Sequence, residues 1–133
     1  MLATPLTAGA FAPFGHVVAA SHSPPRSGNQ GRAQVWDDLA PLTTTRPEAR
    51  PSVSLFRTVA WGEPSLCVRL LERHPHSTQL FVPMTASRYL VVVARPADAP
   101  GEISAFIARG DQAIAYAPGT WHHPLVALDR QTV

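Results

Sequence analysis

At 133 residues the chain is sized for one domain, and its 14 prolines, spread from end to end, disfavour long helices and favour short strands joined by turns. Every basic residue is an arginine and the formal charge is only +2, which excludes a lysine Schiff base and a P-loop lysine and gives no footing for nucleic-acid binding. No apolar run approaches the ~20 residues of a membrane span, and no basic start leads into an apolar core, so the expected setting is the cytoplasm without membrane contact.

Residues 1–20 predict a short opening element in which Phe11, Phe14, Val17 and Val18 contact the core around a turn at 13–15. Residues 21–32 are loop chemistry throughout, rich in Ser, Pro, Gly and Asn. Residues 35–39 suit one helical turn or a strand, and a second proline-rich loop runs to Pro51. Val53, Leu55 and Arg57 alternate with Ser52, Ser54, Phe56 and Thr58, which predicts a strand with burial on parts of both faces. Residues 66–72 predict another strand, on which the lone Cys67 is a small buried hydrophobe rather than a nucleophile. One cysteine supports no disulfide framework within the chain.

Residues 79–83 form a short β segment, and 89–94, a run of Tyr, Leu, Val and Ala, is the strongest strand signal, apolar on both faces and therefore central. Strands at 103–108, 113–116 and 125–128 follow, with a hairpin-type turn at Arg109-Gly110-Asp111 and another turn at Pro118-Gly119. Residues 130–133 read as the start of a strand with no turn to finish it, so the domain at 1–133 is expected to be incomplete at its C-terminus. Many short strands with regular turn signals predict an all-β sandwich or barrel.

The chemistry-bearing residues gather in two polar clusters, Glu72-Arg73-His74-Pro75-His76-Ser77-Thr78-Gln79 and Trp121-His122-His123-Pro124, which hold four of the six histidines. A buried imidazole needs a hydrogen-bond or metal partner, so two such clusters set between apolar strands mark a site. His74 and His76 have the spacing that puts two imidazoles on one face of a strand, and Gly119-x-x-His122 would project a third. Together these resemble the two motifs of the cupin superfamily, in which a carboxylate following the His-x-His would fall near Leu80. The implied fold is a cupin-like double-stranded β-helix, a jelly-roll barrel, with proline-rich loops. Arg73 and Glu72 could instead be a solvated pair at a strand edge, and His16 and His22 are surface residues by context.

A tighter resemblance covers the chain from about Ala12 onward. Leu71-Glu72-Arg73-His74-Pro75, Thr78-Gln79, Phe81-x-Pro83-Met84, Ala105-Phe106-Ile107, Gly110-x-Gln112, Tyr116, Trp121-His122-His123-Pro124-Leu125, Ser54-x-Phe56-Arg57 and Asn29-x-Gly31 are similar to the ureidoglycolate lyase family. That resemblance implies cleavage of ureidoglycolate to glyoxylate and urea, the last ureide step of allantoin breakdown, by a homodimer. It implies His74, Gln79 and His122 as catalytic residues, with Arg57, Arg73, Trp121, His123 and Asn29 around the substrate. It also implies a divalent metal on His74 and His122, nickel first with zinc or iron as alternatives, and no organic cofactor. Two other readings of the residues stay open: a cupin that binds a small carboxylate without turnover, and a metal-dependent cupin enzyme of other specificity.

Overall fold

The structure, a computed structural model, describes residues 1–20 and 23–129. His22 and the terminal strand expected at 130–133 lie outside the described residues.

Two sheets of a cupin-like barrel face each other across one core. In the larger, β6 (Arg88–Ala94) and β7 (Ile103–Arg109) pair antiparallel along their whole length. β1 (Thr4–Pro5) joins the outer edge of β7 in parallel, while β9 (Trp121–His122) and β10 (Val126–Ala127) line the other edge of β6. The smaller sheet has β8 (Ala113–Tyr116) between β2 (Gly15–Val18) and β5 (Gln79–Phe81). Period-two alternation sends Tyr89, Val91 and Val93 of β6, Phe106 and Ala108 of β7, and Ile114 and Tyr116 of β8 into the shared core. β6 is also buried on its other face, where Val92 and Ala94 are enclosed, as its continuous apolar run implies.

The N-terminal segment caps this core. Thr7 accepts the Ala10 N–H at 3.2 Å and starts α1 (Ala8–Phe11), a single turn. It delivers the buried Phe11 and Phe14 onto Phe106, with ring centroids 5.9–6.0 Å apart in tilted or edge-on contact. Val17 packs against the same cluster.

Several local expectations are corrected. Residues 53–58 form no strand: Val53 is fully exposed, and Leu55 and Val59 nearly so. Residues 66–72 are likewise irregular apart from a bridge at Glu72, and Cys67 is exposed rather than buried. Alternation alone does not make a strand without a neighbour to take its backbone hydrogen bonds. Conversely, the stretch read as pure loop contains β3 (Arg26–Gly28), which pairs with β4 (Ala33–Val35). The hairpin closes through Asn29, Gln30 and Gly31, all at positive φ, and an Arg26–Asp37 ion pair ties its base.

The turn at Arg109-Gly110-Asp111 is not a hairpin, because β7 and β8 belong to different sheets. It carries the chain across the barrel, fixed by the Gly110 N–H on the Ser87 carbonyl at 2.8 Å. A side chain at Gly110 would collide with the Ala86 carbonyl oxygen, 2.2 Å from its Cβ.

Gly15 opens β2 with φ +149°, and an added Cβ would lie 2.0 Å from the Ala115 carbonyl oxygen. Gly15→Ala should therefore destabilise the fold by about 2 kcal/mol or more. Gly62→Ala, with no atom of the described residues within 4 Å of the added Cβ, should change it by less than about 0.5 kcal/mol. Urea unfolding of the two variants beside the parent checks both, and equal midpoints would contradict the first.

Candidate active site

Strand register decides which polar side chains enter the barrel. Gln79 stands opposite Tyr116 in the β5–β8 pair, so it shares the inward face of that tyrosine. His122 stands opposite the core residue Val93 in the β6–β9 pair and is 1% exposed. Each sheet thus contributes to one inner-face pocket.

The segment carrying Glu72 and His74 is drawn across that pocket by backbone bonds. The Glu72 N–H donates to the His122 carbonyl and the His122 N–H to the Glu72 carbonyl, both at 2.8 Å. Such a reciprocal pair puts the two side chains on the same side, and Glu72 Oε1 lies 3.5 Å from His122 Nε2. Two residues on, the His74 ring returns to that side, its centroid 5.4 Å from that of His122. The Gly119 N–H holds the His74 carbonyl at 2.9 Å, and Gly119 reaches it from a turn at φ +83°. Rings form the floor: Tyr116 stacks on His122 at 4.3 Å and 13°, and Phe81 meets Tyr116 edge-on.

The state of His122 follows from its neighbours. Its Nδ1 is 3.0 Å from the Thr120 carbonyl oxygen, which can only accept, so Nδ1 carries the hydrogen. Burial lowers the imidazole pKa below its ordinary value, outweighing the opposing pull of the Thr120 carbonyl and Glu72. Neutral His122 then presents a lone pair at Nε2 towards the Glu72 carboxylate. Two acceptors face each other at 3.5 Å, an arrangement that calls for a cation or a proton-donating group between them. Burial likewise raises the Tyr116 phenol well above its ordinary range, so it stays protonated.

Three buried polar atoms have no hydrogen-bond partner among the described residues: His74 Nε2, His122 Nε2 and Gln79 Oε1. Orphaned buried polar atoms are costly and are kept where a ligand uses them. Glu72, His74 and His122 each offer a donor atom, all within 4.8 Å of one another. Metal–ligand bonds of about 2.0–2.2 Å place neighbouring donors roughly 3–3.6 Å apart, a range that the 3.5 Å between Glu72 Oε1 and His122 Nε2 falls within. Two imidazoles and a carboxylate are a donor set for a first-row divalent metal.

Of the residues singled out by sequence, the structure brings His74 and His122 together, and Gln79 stands opposite Tyr116, whose ring stacks on His122. His76 is not the second imidazole of a pair. Pro75 and His76 lie in a turn, which breaks the alternation, and His76 is exposed with Nδ1 bonded to Thr45 Oγ1 at 3.0 Å. Leu80 points outward, so the carboxylate comes from Glu72, two residues before His74 instead of after it. Period two across Glu72-Arg73-His74 was the signal that could have found it.

The remaining residues have other immediate contacts or positions. Arg73 stacks its guanidinium on Trp121, 4.6 Å from the ring centroid, and both donate to the Ala97 carbonyl. His123 donates from Nδ1 to the Pro124 carbonyl at 2.8 Å. Arg57 lies on the exposed irregular segment, and Asn29 in the turn of the β3–β4 hairpin.

The depressed pKa of His122 has a consequence for stability. The unfolded imidazole protonates as the pH falls through about 6.5 while the folded one resists, so the unfolded state binds more protons and stability drops. Urea unfolding from pH 8 to pH 5, with a chelator present, should show this loss, and His122→Gln should flatten it. An unchanged slope would mean that another group is responsible.

Comparison with known proteins agrees with this geometry. The profile of the ureidoglycolate lyase family matches residues 1–133. A ureidoglycolate lyase of Burkholderia cepacia is 45% identical over 129 residues, covering 93% of this chain and 71% of the relative. One from Azotobacter vinelandii is 42% identical over 126 residues, covering 93% and 75%. One from Pseudomonas putida is 39% identical over 133 residues, covering 98% and 79%. With the whole chain matched and the two linked clusters meeting in one pocket, the chain belongs to the ureidoglycolate lyase family.

Proposed function

We propose that this protein is a ureidoglycolate lyase that cleaves ureidoglycolate to glyoxylate and urea in allantoin breakdown, acting as a cytoplasmic homodimer, with residues 1–133 belonging to one cupin-like domain. The observation that carries this reading is the convergence of Glu72, His74 and His122, with Gln79 opposite the Tyr116 ring that underlies His122, in a chain from that family.

The reaction moves one proton. The bond between the carbinol carbon and the urea nitrogen breaks, and its electrons stay on nitrogen, which takes a proton. The carbinol oxygen loses its proton and becomes the glyoxylate carbonyl. No water is consumed, so a single group that accepts the hydroxyl proton can return it to the nitrogen. We assign that transfer to Glu72, whose side chain is 47% exposed and lies beside His122. Gln79 Oε1, buried and without a partner among the described residues, accepts an N–H of the ureido group and turns its nitrogen towards the carboxyl. Tyr116 and Phe81 keep the floor dry, which strengthens these polar contacts.

His74 and His122 would hold a divalent metal, nickel first, then zinc or iron, with one Glu72 oxygen within reach of it and the other left for the proton transfer. When bound, such an ion supplies positive charge that clamps the substrate carboxylate and eases ionisation of the hydroxyl. In this reading the carboxylate is not held by Arg73, which is engaged with Trp121 and Ala97.

Purified protein given ureidoglycolate should release glyoxylate and urea in equal amounts above the spontaneous rate. Stoichiometric binding without release would make the protein a carboxylate-binding cupin instead. Exhaustive chelation should abolish the release and divalent metal should restore it; activity unaffected by chelation would remove metal from the site. His122→Ala and His74→Ala should each lower turnover by roughly 100-fold or more. His76→Ala should change it less than about threefold, because His76 faces Thr45 and not the pocket. Equal losses at His74 and His76 would mean that the pocket is misplaced.

A further inference from the structure

The turn between β8 and β9 carries a buried hydroxyl that the chemistry above does not use. Thr120 is 1% exposed, and its Oγ1 donates to the Phe14 carbonyl at 2.8 Å. The same carbonyl accepts the Ala117 N–H at 3.0 Å, and the Thr120 N–H closes the turn on the Ala117 carbonyl at 3.1 Å. Phe14 is itself fixed, with its N–H on the Phe11 carbonyl at 2.8 Å and its ring in the core. A turn pinned twice to one anchored oxygen has little freedom to rotate its peptide planes.

Both histidines of the pocket hang from that turn. The Gly119 N–H holds the His74 backbone carbonyl, and the Thr120 carbonyl receives Nδ1–H of His122. A neutral imidazole has two tautomers, and the partner of one nitrogen decides which nitrogen keeps its lone pair. Here the partner is the carbonyl of the residue whose own hydroxyl is anchored.

We propose that Thr120 is a positioning residue: its hydroxyl locks the 117–120 turn to Phe14, so that its carbonyl holds His122 as the Nδ1–H tautomer with the Nε2 lone pair aimed at Glu72 and His74. Valine has the shape of threonine without the donor. Thr120→Val therefore frees one of the two anchors, lets the carbonyl swing, and releases His122 to populate the Nε2–H form, which cannot offer a lone pair to the pocket. Serine keeps the donor and should keep the tautomer.

The decisive readout is independent of catalysis. In ¹⁵N-histidine-labelled full chain at pH 8, with a chelator present so that no metal fixes Nε2, the ring nitrogen shifts of His122 report its tautomer directly. The parent and Thr120→Ser should show Nδ1–H, and Thr120→Val a substantial Nε2–H population. An Nε2–H parent, or a Thr120→Val protein with the parent's tautomer, overturns the proposal. Should Thr120→Val fail to fold, Thr120→Ala is judged by the same criterion.

The catalytic expectation rests on the proposed reaction: kcat for ureidoglycolate should fall roughly 10–100-fold in Thr120→Val, with KM changed much less, and recover in Thr120→Ser. A protein inactive on ureidoglycolate that still shows this tautomer pattern removes the reaction and leaves the positioning role standing. Full kcat in a Thr120→Val protein that has lost the Nδ1–H form would refute the role in catalysis.

Discussion

An imidazole sealed inside an apolar barrel must settle both of its nitrogens within the protein, because water is no longer there to do so. His122, 1% exposed, imposes that demand, and much of the surrounding architecture answers it. One nitrogen is settled by the Thr120 carbonyl. The other is left as an acceptor beside a second imidazole and a carboxylate. The strand register places the ring: His122 must pair with Val93 for its side chain to enter the core at all. Slipping β9 by one residue along β6 would bury Trp121 and expel the histidine.

The pocket is dry on one side and wet on the other, and its chemistry depends on that asymmetry. Tyr116, Phe81 and the core beneath them remove water from below His122. Burial therefore favours the neutral imidazole. Glu72 sits at the opening, half exposed. A neutral base on the dry side and an anion on the wet side together make a strong acceptor site. Substrates fit it when they bring hydroxyl or amide hydrogens, or arrive with a cation.

What the sequence made legible is what periodicity encodes. The apolar run of β6 and the inward residues of β7 and β8 were readable because their side chains face a core within the same chain. Residues 53–58 show the limit: Val53 and Leu55 alternate as a strand would, but alternation names a face and not a partner. The β3–β4 hairpin was missed for the opposite reason. Its residues have loop composition, while its shape comes from positive φ at Asn29, Gln30 and Gly31 and from the distant Asp37. At the site, motif spacing pointed to His74 and His122, and the family resemblance pointed to Gln79. Glu72 was passed over because beside Arg73 it looked like an ordinary charged pair, and only the bridge to His122 shows that the two residues serve different sides of the chain.

That division explains why two such short motifs hold so many distinctive residues. In Glu72-Arg73-His74 the first and third side chains turn into the pocket and the second turns out, while in Trp121-His122 the histidine turns in and the tryptophan out. The outward pair meets as arginine over indole, and both side chains donate to the Ala97 carbonyl. The same reciprocal backbone bridge that brings Glu72 to His122 inside therefore brings Arg73 to Trp121 outside, with Ala97 of the following loop drawn in. The outer layer is a clamp on the inner one. A cation–π contact contributes about 0.5–1 kcal/mol at an exposed position, which is modest for the fold. It acts, however, on the irregular strand segment that carries Glu72 and His74, where backbone bonds to a neighbouring strand are few. Holding that segment in register is what keeps carboxylate and imidazole within reach of each other.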